Sequence, residues 1–243
     1  MITEHQQIIG DIPILILEYE EIPIQGTIIF YHGWTSCKEL QRLRGRIFAS
    51  YGYRVLLPDA IHHGQRGVLD DYEAEEAYPV FWETIFQNVE ESRMLFQYIR
   101  SLDTKPIGIV GHSMGGITAM GIAASGLDIQ AAAAFNGSGW WEQSDRIMRR
   151  DWNIPDSEAA REITEKIKQR DPFRHREILK EIPILALNGA VDDSVSPLPQ
   201  KECIERLQQE GAQASIVLYP KLGHFLTVNM MDEGIRFLQK YMK

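Results

Sequence analysis

Five residues in the middle of the chain could do chemistry together: Gly111-His112-Ser113-Met114-Gly115. They follow the apolar run Ile107-Gly108-Ile109-Val110 and precede the helix-like Gly116-Ile117-Thr118-Ala119-Met120. A serine between glycines, after a strand and before a helix, suits a strained turn that lifts a hydroxyl clear of a sheet. The helix behind it would point N–H groups at the same place and favour negative charge there. That is the environment of a nucleophile.

A serine hydroxyl needs a base. Of seven histidines, His224 stands out, because Tyr219-Pro220-Lys221-Leu222-Gly223-His224 joins the last strand-like run to the last helix-like one. The base needs a carboxylate to fix its tautomer and stabilise imidazolium. Asp192 and Asp193 both follow the preceding strand-like run and compete for that role. Acyl chemistry also needs N–H donors for an oxyanion. The Met114 N–H, directly after the serine, is one. The loop His32-Gly33-Trp34-Thr35 offers the second, assigned to the Trp34 N–H, with His32 bracing that loop. Asp59, His62 and His63 invite a metal reading, but no further ligand cluster at suitable spacing accompanies them. No metal and no organic cofactor is expected. His63-Gly64 reads as a loop brace, with Arg66 near a pocket rim.

The elements that must position these groups alternate. Strand-like runs cover 12–19, 26–33, 53–60, 106–113, 131–138, 182–190 and 214–220, and their near-continuous apolar character suits strands buried on both faces. Between them, Phe81, Ile85, Val89, Phe96 and Ile99 form one helical stripe, and Met231, Ile235, Leu238 and Met242 another. Ser196, Pro197 and Gly211 bracket a third helix. This alternation predicts a mostly parallel sheet covered on both sides. From about 139 to 180 there is no strand signal; this reads as a helical insertion within one domain of 243 residues. Its aromatic residues, Trp140, Trp141, Trp152 and Phe173, either dock it or line a pocket, and Trp140 and Trp141 are the candidates for substrate contact.

The net charge of −9 argues against nucleic-acid partners, and the basic Arg146–Arg150 stretch is flanked by Asp145 and Asp151. Two distant cysteines, Cys37 and Cys203, suit a reducing, cytoplasmic setting. No signal-peptide pattern is visible and no run of about 18 apolar residues exists, so no membrane association is expected.

With these residues assembled, the chain resembles an α/β-hydrolase-fold serine esterase over essentially its full length. More narrowly, it is similar to compact bacterial carboxylesterases related to dienelactone hydrolases and to prolyl oligopeptidase catalytic domains. The resemblance rests on His32-Gly33-Trp34, Pro58-Asp59, the Gly111–Gly115 elbow, Asp192 and His224. It implies a mostly parallel central sheet with helices on both faces and a small helical cap insertion. It also breaks the tie between the aspartates, since Gly-x-x-Asp-x-x-Val appears as Gly189, Asp192 and Val195. Dienelactone hydrolases proper use cysteine where this chain has Ser113, so that activity is not implied, and the opening antiparallel hairpin of the fold reads as short here. The implied activity is hydrolysis of small, short-acyl carboxylic esters through an acyl-enzyme. Aminopeptidase or oligopeptidase activity, acyl thioesterase activity and a non-catalytic ligand-binding role are the alternatives.

Overall fold

The computed structural model describes residues 1–243. Eight strands form one sheet: β1 (Ile2–Ile9), β2 (Ile12–Tyr19), β3 (Gly26–Tyr31), β4 (Tyr53–Pro58), β5 (Ile107–His112), β6 (Ala131–Phe135), β7 (Ile184–Gly189) and β8 (Ala214–Tyr219). Their spatial order is β1-β2-β4-β3-β5-β6-β7-β8. Strands β3 to β8 run parallel, and β1 and β2 form an antiparallel hairpin at one edge. The eight helices are α1 (Arg42–Ala49), α2 (Ala77–Leu102), α3 (Met114–Ala123), α4 (Trp141–Asp151), α5 (Glu158–Arg170), α6 (Arg176–Leu179), α7 (Pro197–Gln209) and α8 (Val228–Tyr241).

Side-chain alternation along the strands builds two cores. Ile29, Ile109 and Ala186 face α2, α3 and α7, whereas Ile28, Val110 and Leu187 face α1 and α8. Burial on both faces is why these strands read as continuous apolar runs. The opening hairpin is longer than the sequence suggests. Strand β1, Ile-Thr-Glu-His-Gln-Gln-Ile-Ile, pairs with β2 over all eight positions, from Ile2 opposite Tyr19 to Ile9 opposite Ile12. It escapes an apolar-run reading because it is an edge strand with mostly accessible side chains.

Helices α4, α5 and α6 lie between β6 and β7. A third apolar cluster joins them to the body: Trp141 and Met148 of α4 and Ile163 and Ile167 of α5 pack with Phe81, Trp82, Ile85 and Phe86 of α2. Helix α7 begins at Ser196, whose hydroxyl accepts from the Leu198 N–H, and its end is followed by Gly211 at φ 87°.

Candidate active site

Ser113 sits between β5 and α3 at φ 59°, ψ −123°. This backbone conformation is rare for a residue with a side chain and costs about 1–3 kcal/mol. The flanking glycines are required by contact. A Cβ on Gly111 would fall on the Gly115 carbonyl, and one on Gly115 would fall on the Tyr31 carbonyl. Helix α3 can therefore start directly beneath the serine and press against the end of β3.

His224 and Asp192 meet the serine there. His224 Nε2 lies 2.8 Å from Ser113 Oγ, and His224 Nδ1 lies 2.7 Å from Asp192 Oδ2. A carboxylate beside Nδ1 holds the proton on that nitrogen, so Nε2 presents a lone pair to the serine O–H. Asp192 is itself fixed: its Oδ1 accepts from the Ser194 N–H at 3.0 Å and the Val195 N–H at 2.9 Å. Asp193 is exposed and makes no hydrogen bond to His224. The two loops abut, since a Cβ on Gly189 would meet the Gly223 carbonyl, and the Val191 N–H donates to Leu222 O at 3.1 Å. Such a chain can move a proton from an attacking hydroxyl to an imidazole and return it to a leaving group.

The loop after β3 crosses over the serine: a Cβ on Gly33 would lie 3.2 Å from Ser113 Cβ. The Trp34 N–H makes no hydrogen bond within the protein, and the N–H of Met114, in the first turn of α3, has no acceptor within the helix. Both are available to an anion. His32 braces this loop through both ring nitrogens, Nδ1–H donating to Gly33 O at 2.8 Å and Nε2 accepting from the Ala60 N–H at 3.1 Å. Burial pushes its pKa down. Asp59 is consumed in the same scaffold. It accepts from the Lys38 N–H at 2.9 Å, from Lys38 Nζ at 2.6 Å and from the Gln65 N–H at 3.0 Å. Lys38 is fully buried. Neither this pairing nor the burial of a lysine carries a local sequence signal, because its partner is 21 positions away. His63 donates from Nδ1 to Ile61 O at 2.7 Å, and burial lowers its pKa to about 4. Arg66 does not reach the rim of the cavity lined by Trp34, because Glu91 holds its guanidinium with two bonds of 2.7 Å.

A cavity of about 660 Å³ is lined by Trp34, Tyr72, Trp152 and Ile154 on its apolar walls and by Glu73, Glu75 and Asp193 among its polar residues; Ser113, Asp192 and His224 do not line it, but Trp34 and Asp193 are chain neighbours of Gly33, which lies over Ser113, and of Asp192. Trp34 anchors the cavity: its ring makes edge contacts with Tyr72 and Phe81, and its Nε1–H donates to Tyr72 O at 3.1 Å. The two tryptophans expected to contact substrate are elsewhere. Trp141 is 1% exposed, with its indole wedged between Trp82 and Phe86 and over Gly121. Trp140 stacks on Phe173 and faces a separate, more polar cleft of about 700 Å³ toward Glu142, Lys168 and Glu202, which contains none of the triad. Adjacent positions at the start of a helix point in different directions, and here neither points to the serine. The aromatic residue of this interval that does reach the cavity is Trp152, at the end of α4, opposite Tyr72 of a loop whose role nothing in the sequence marks.

Taken together, the parallel sheet with its antiparallel edge, the strained serine turn after β5 and the loops after β7 and β8 that bring Asp192 and His224 to it define an α/β-hydrolase. Residues 16–234 match the dienelactone hydrolase family, and the chain belongs to that family. It is 30% identical over 223 residues to the esterase-named YitV of Bacillus subtilis, covering 86% of this chain and 85% of that one. It is 27% identical to Esterase YjfP of Escherichia coli over the full length of both. Among solved structures it is similar to TT1662 from Thermus thermophilus, with a TM-score of 0.79 at 20% identity, covering 100% of this chain and 99% of that one.

Proposed function

We propose that this chain is a carboxylesterase in which Ser113, His224 and Asp192 act as the catalytic triad on small, short-acyl esters. The observation that carries the reading is the continuous pair of contacts, Oγ to Nε2 at 2.8 Å and Nδ1 to Oδ2 at 2.7 Å, centred on a serine in a strained turn. The esterase-named relatives YitV and YjfP support the substrate class.

In this mechanism Ser113 Oγ adds to the ester carbonyl carbon while its proton passes to His224 Nε2. Asp192 stabilises the imidazolium without taking the proton. The Trp34 and Met114 N–H groups receive the oxyanion, a donor pair of which each member contributes about 3 kcal/mol to barrier lowering. Collapse of the tetrahedral adduct breaks the carbonyl carbon–alkoxy oxygen bond, and His224 returns the proton to the departing alcohol. Water then repeats the sequence on the acyl-serine and releases the acid. The cavity beside Trp34 takes one side of the ester, and its volume lies in the range of small-molecule sites. Glu73, Glu75 and Asp193 disfavour the polyphosphate of an acyl-CoA and tolerate an amino group. An aminoacyl substrate is therefore the second reading, ahead of a thioesterase.

The test is a panel of acetyl, butyryl and longer acyl nitrophenyl esters, aminoacyl anilides and acyl-CoA, assayed with the wild-type chain and Ser113→Ala. Expected are turnover of short-acyl esters, covalent labelling by an organophosphonate, and a loss of roughly 10⁴- to 10⁶-fold in kcat for Ser113→Ala. Turnover retained in Ser113→Ala refutes the triad.

A further inference from the structure

Asn136 is the first residue after β6, fully buried, with its backbone at φ 46°. Asparagine tolerates this left-handed conformation better than most residues. Its surroundings join every part of the site. The preceding carbonyl, Phe135 O, accepts from the Ser113 N–H at 2.9 Å, and the Asn136 N–H donates to Leu187 O of β7 at 2.8 Å. Its side chain reaches both of the other loops. Oδ1 accepts from the Gly189 N–H at 2.9 Å, three residues before Asp192. Nδ2 donates to Phe225 O at 3.1 Å, directly after His224, and lies 3.4 Å from His112 Nε2. The His112 ring sits 5.2 Å from that of His224.

The His224 loop has few other restraints. Phe225 is 69% exposed, and Lys221 in the same loop has φ 61°. Apart from the His224–Ser113 contact, the Asn136–Phe225 bond is the one hydrogen bond that ties this loop to the β5–β6 side of the site. Bonds to the Asp192 loop, such as Val191 N–H to Leu222 O, keep acid and base together, and Leu222 and Leu226 pack on the core below, but neither contact fixes the His224 backbone to the serine side by a hydrogen bond.

We infer that Asn136 is a positioning residue for hydrolysis: its amide holds the Asp192 and His224 loops at the distance from Ser113 where the proton transfers. The inference rests on the triad reading above. Misplacement of a reacting group by about 1 Å costs on the order of 100-fold in rate, so one tether can govern turnover.

Asn136→Gly tests it, because glycine adopts the same φ without strain and only the amide is lost. In the full chain, kcat is expected to fall by about 10- to 100-fold with KM within about twofold of wild type. The far-downfield proton resonance of the His224–Asp192 hydrogen bond is expected to persist, because the bonds between those two loops remain and the loss falls on the Ser113–His224 contact. A lower melting temperature with kcat unchanged shows a merely structural amide and overturns the inference. If Asn136→Gly does not fold, Asn136→Asp keeps the shape and the acceptor for Gly189 but loses the donor to Phe225, and the same result is expected of it. Ser113→Ala assayed in parallel separates the two failures. An active Ser113→Ala removes the triad reading and this inference with it; an inactive Ser113→Ala beside an Asn136→Gly of wild-type kcat removes only the role of Asn136.

Discussion

Ser113 is held in a conformation that its own side chain opposes, and function and stability therefore pull in opposite directions at this position. Ser113→Gly is expected to abolish ester turnover and leave stability unchanged or raised by up to about 1 kcal/mol, measured by denaturant unfolding. A loss of more than about 1 kcal/mol would show that the turn is not strained. The two aspartates divide as sharply. Asp192→Asn is expected to lower kcat by about 10⁴-fold, whereas Asp193→Asn, whose carboxylate is exposed and unbonded to His224, leaves kcat nearly unchanged. Equal effects of the two changes in steady-state assays would reassign the acid. Ser113, His224 and the aspartate pair are visible in the sequence because the proposed nucleophile, base and acid each sit where a strand-like run ends. Asn136, Lys38 and Tyr72 are not, because what they do is defined by partners far along the chain: Phe225, Asp59 and Trp34.

Strands β3 to β7 announce themselves because they are buried on both faces, and the long helix α2 because its stripe is regular. Helix α1 does not: in Arg-Leu-Arg-Gly-Arg-Ile-Phe-Ala only Gly45, Phe48 and Ala49 are buried, too few for a periodic signal. The interval between β6 and β7 shows a different limit. Aromatic content there marks a docked segment, but which indole docks and which lines the cavity depends on how α4 rests on α2. Trp141→Ala is expected to lower unfolding free energy by about 3–5 kcal/mol, since it empties a site between Trp82 and Phe86. Trp152→Ala, at 40% exposure on the cavity wall, is expected to cost less than about 1 kcal/mol and to raise KM for esters. Stability curves and steady-state kinetics on the two variants check this; a KM effect confined to Trp141→Ala would return that residue to the substrate site.

Across the whole molecule, two buried imidazoles contribute to the response to acid. Burial lowers His63 to about 4, and burial together with the charge of His224 and Arg44 lowers His112 to about 3, from an ordinary value of 6.5. Between those values and 6.5 the unfolded chain binds protons that the folded chain refuses. Their stabilising contribution is thus complete above about pH 6.5 and is lost as pH falls toward 4, each tenfold weakening of proton affinity on folding being worth about 1.4 kcal/mol. Asp145 and Asp171, whose pKa values burial raises, act in the opposite sense. His63→Asn, which can keep a donor for Ile61 O, isolates one imidazole: its melting temperature is expected to fall less than that of the wild type between pH 7 and pH 5. An identical fall would show that His63 titrates normally. The polar lettering of β1 bears on the molecule as a whole in another way. This strand has a neighbour on one side only, and Glu4, carried on it, is engaged by Arg42 and Arg46. The stretch from Thr3 to Gln7, written in hydroxyl, charge, imidazole and amide, offers a poor template for another chain to extend, so the same residues that mask β1 in the sequence discourage pairing at this edge of the sheet.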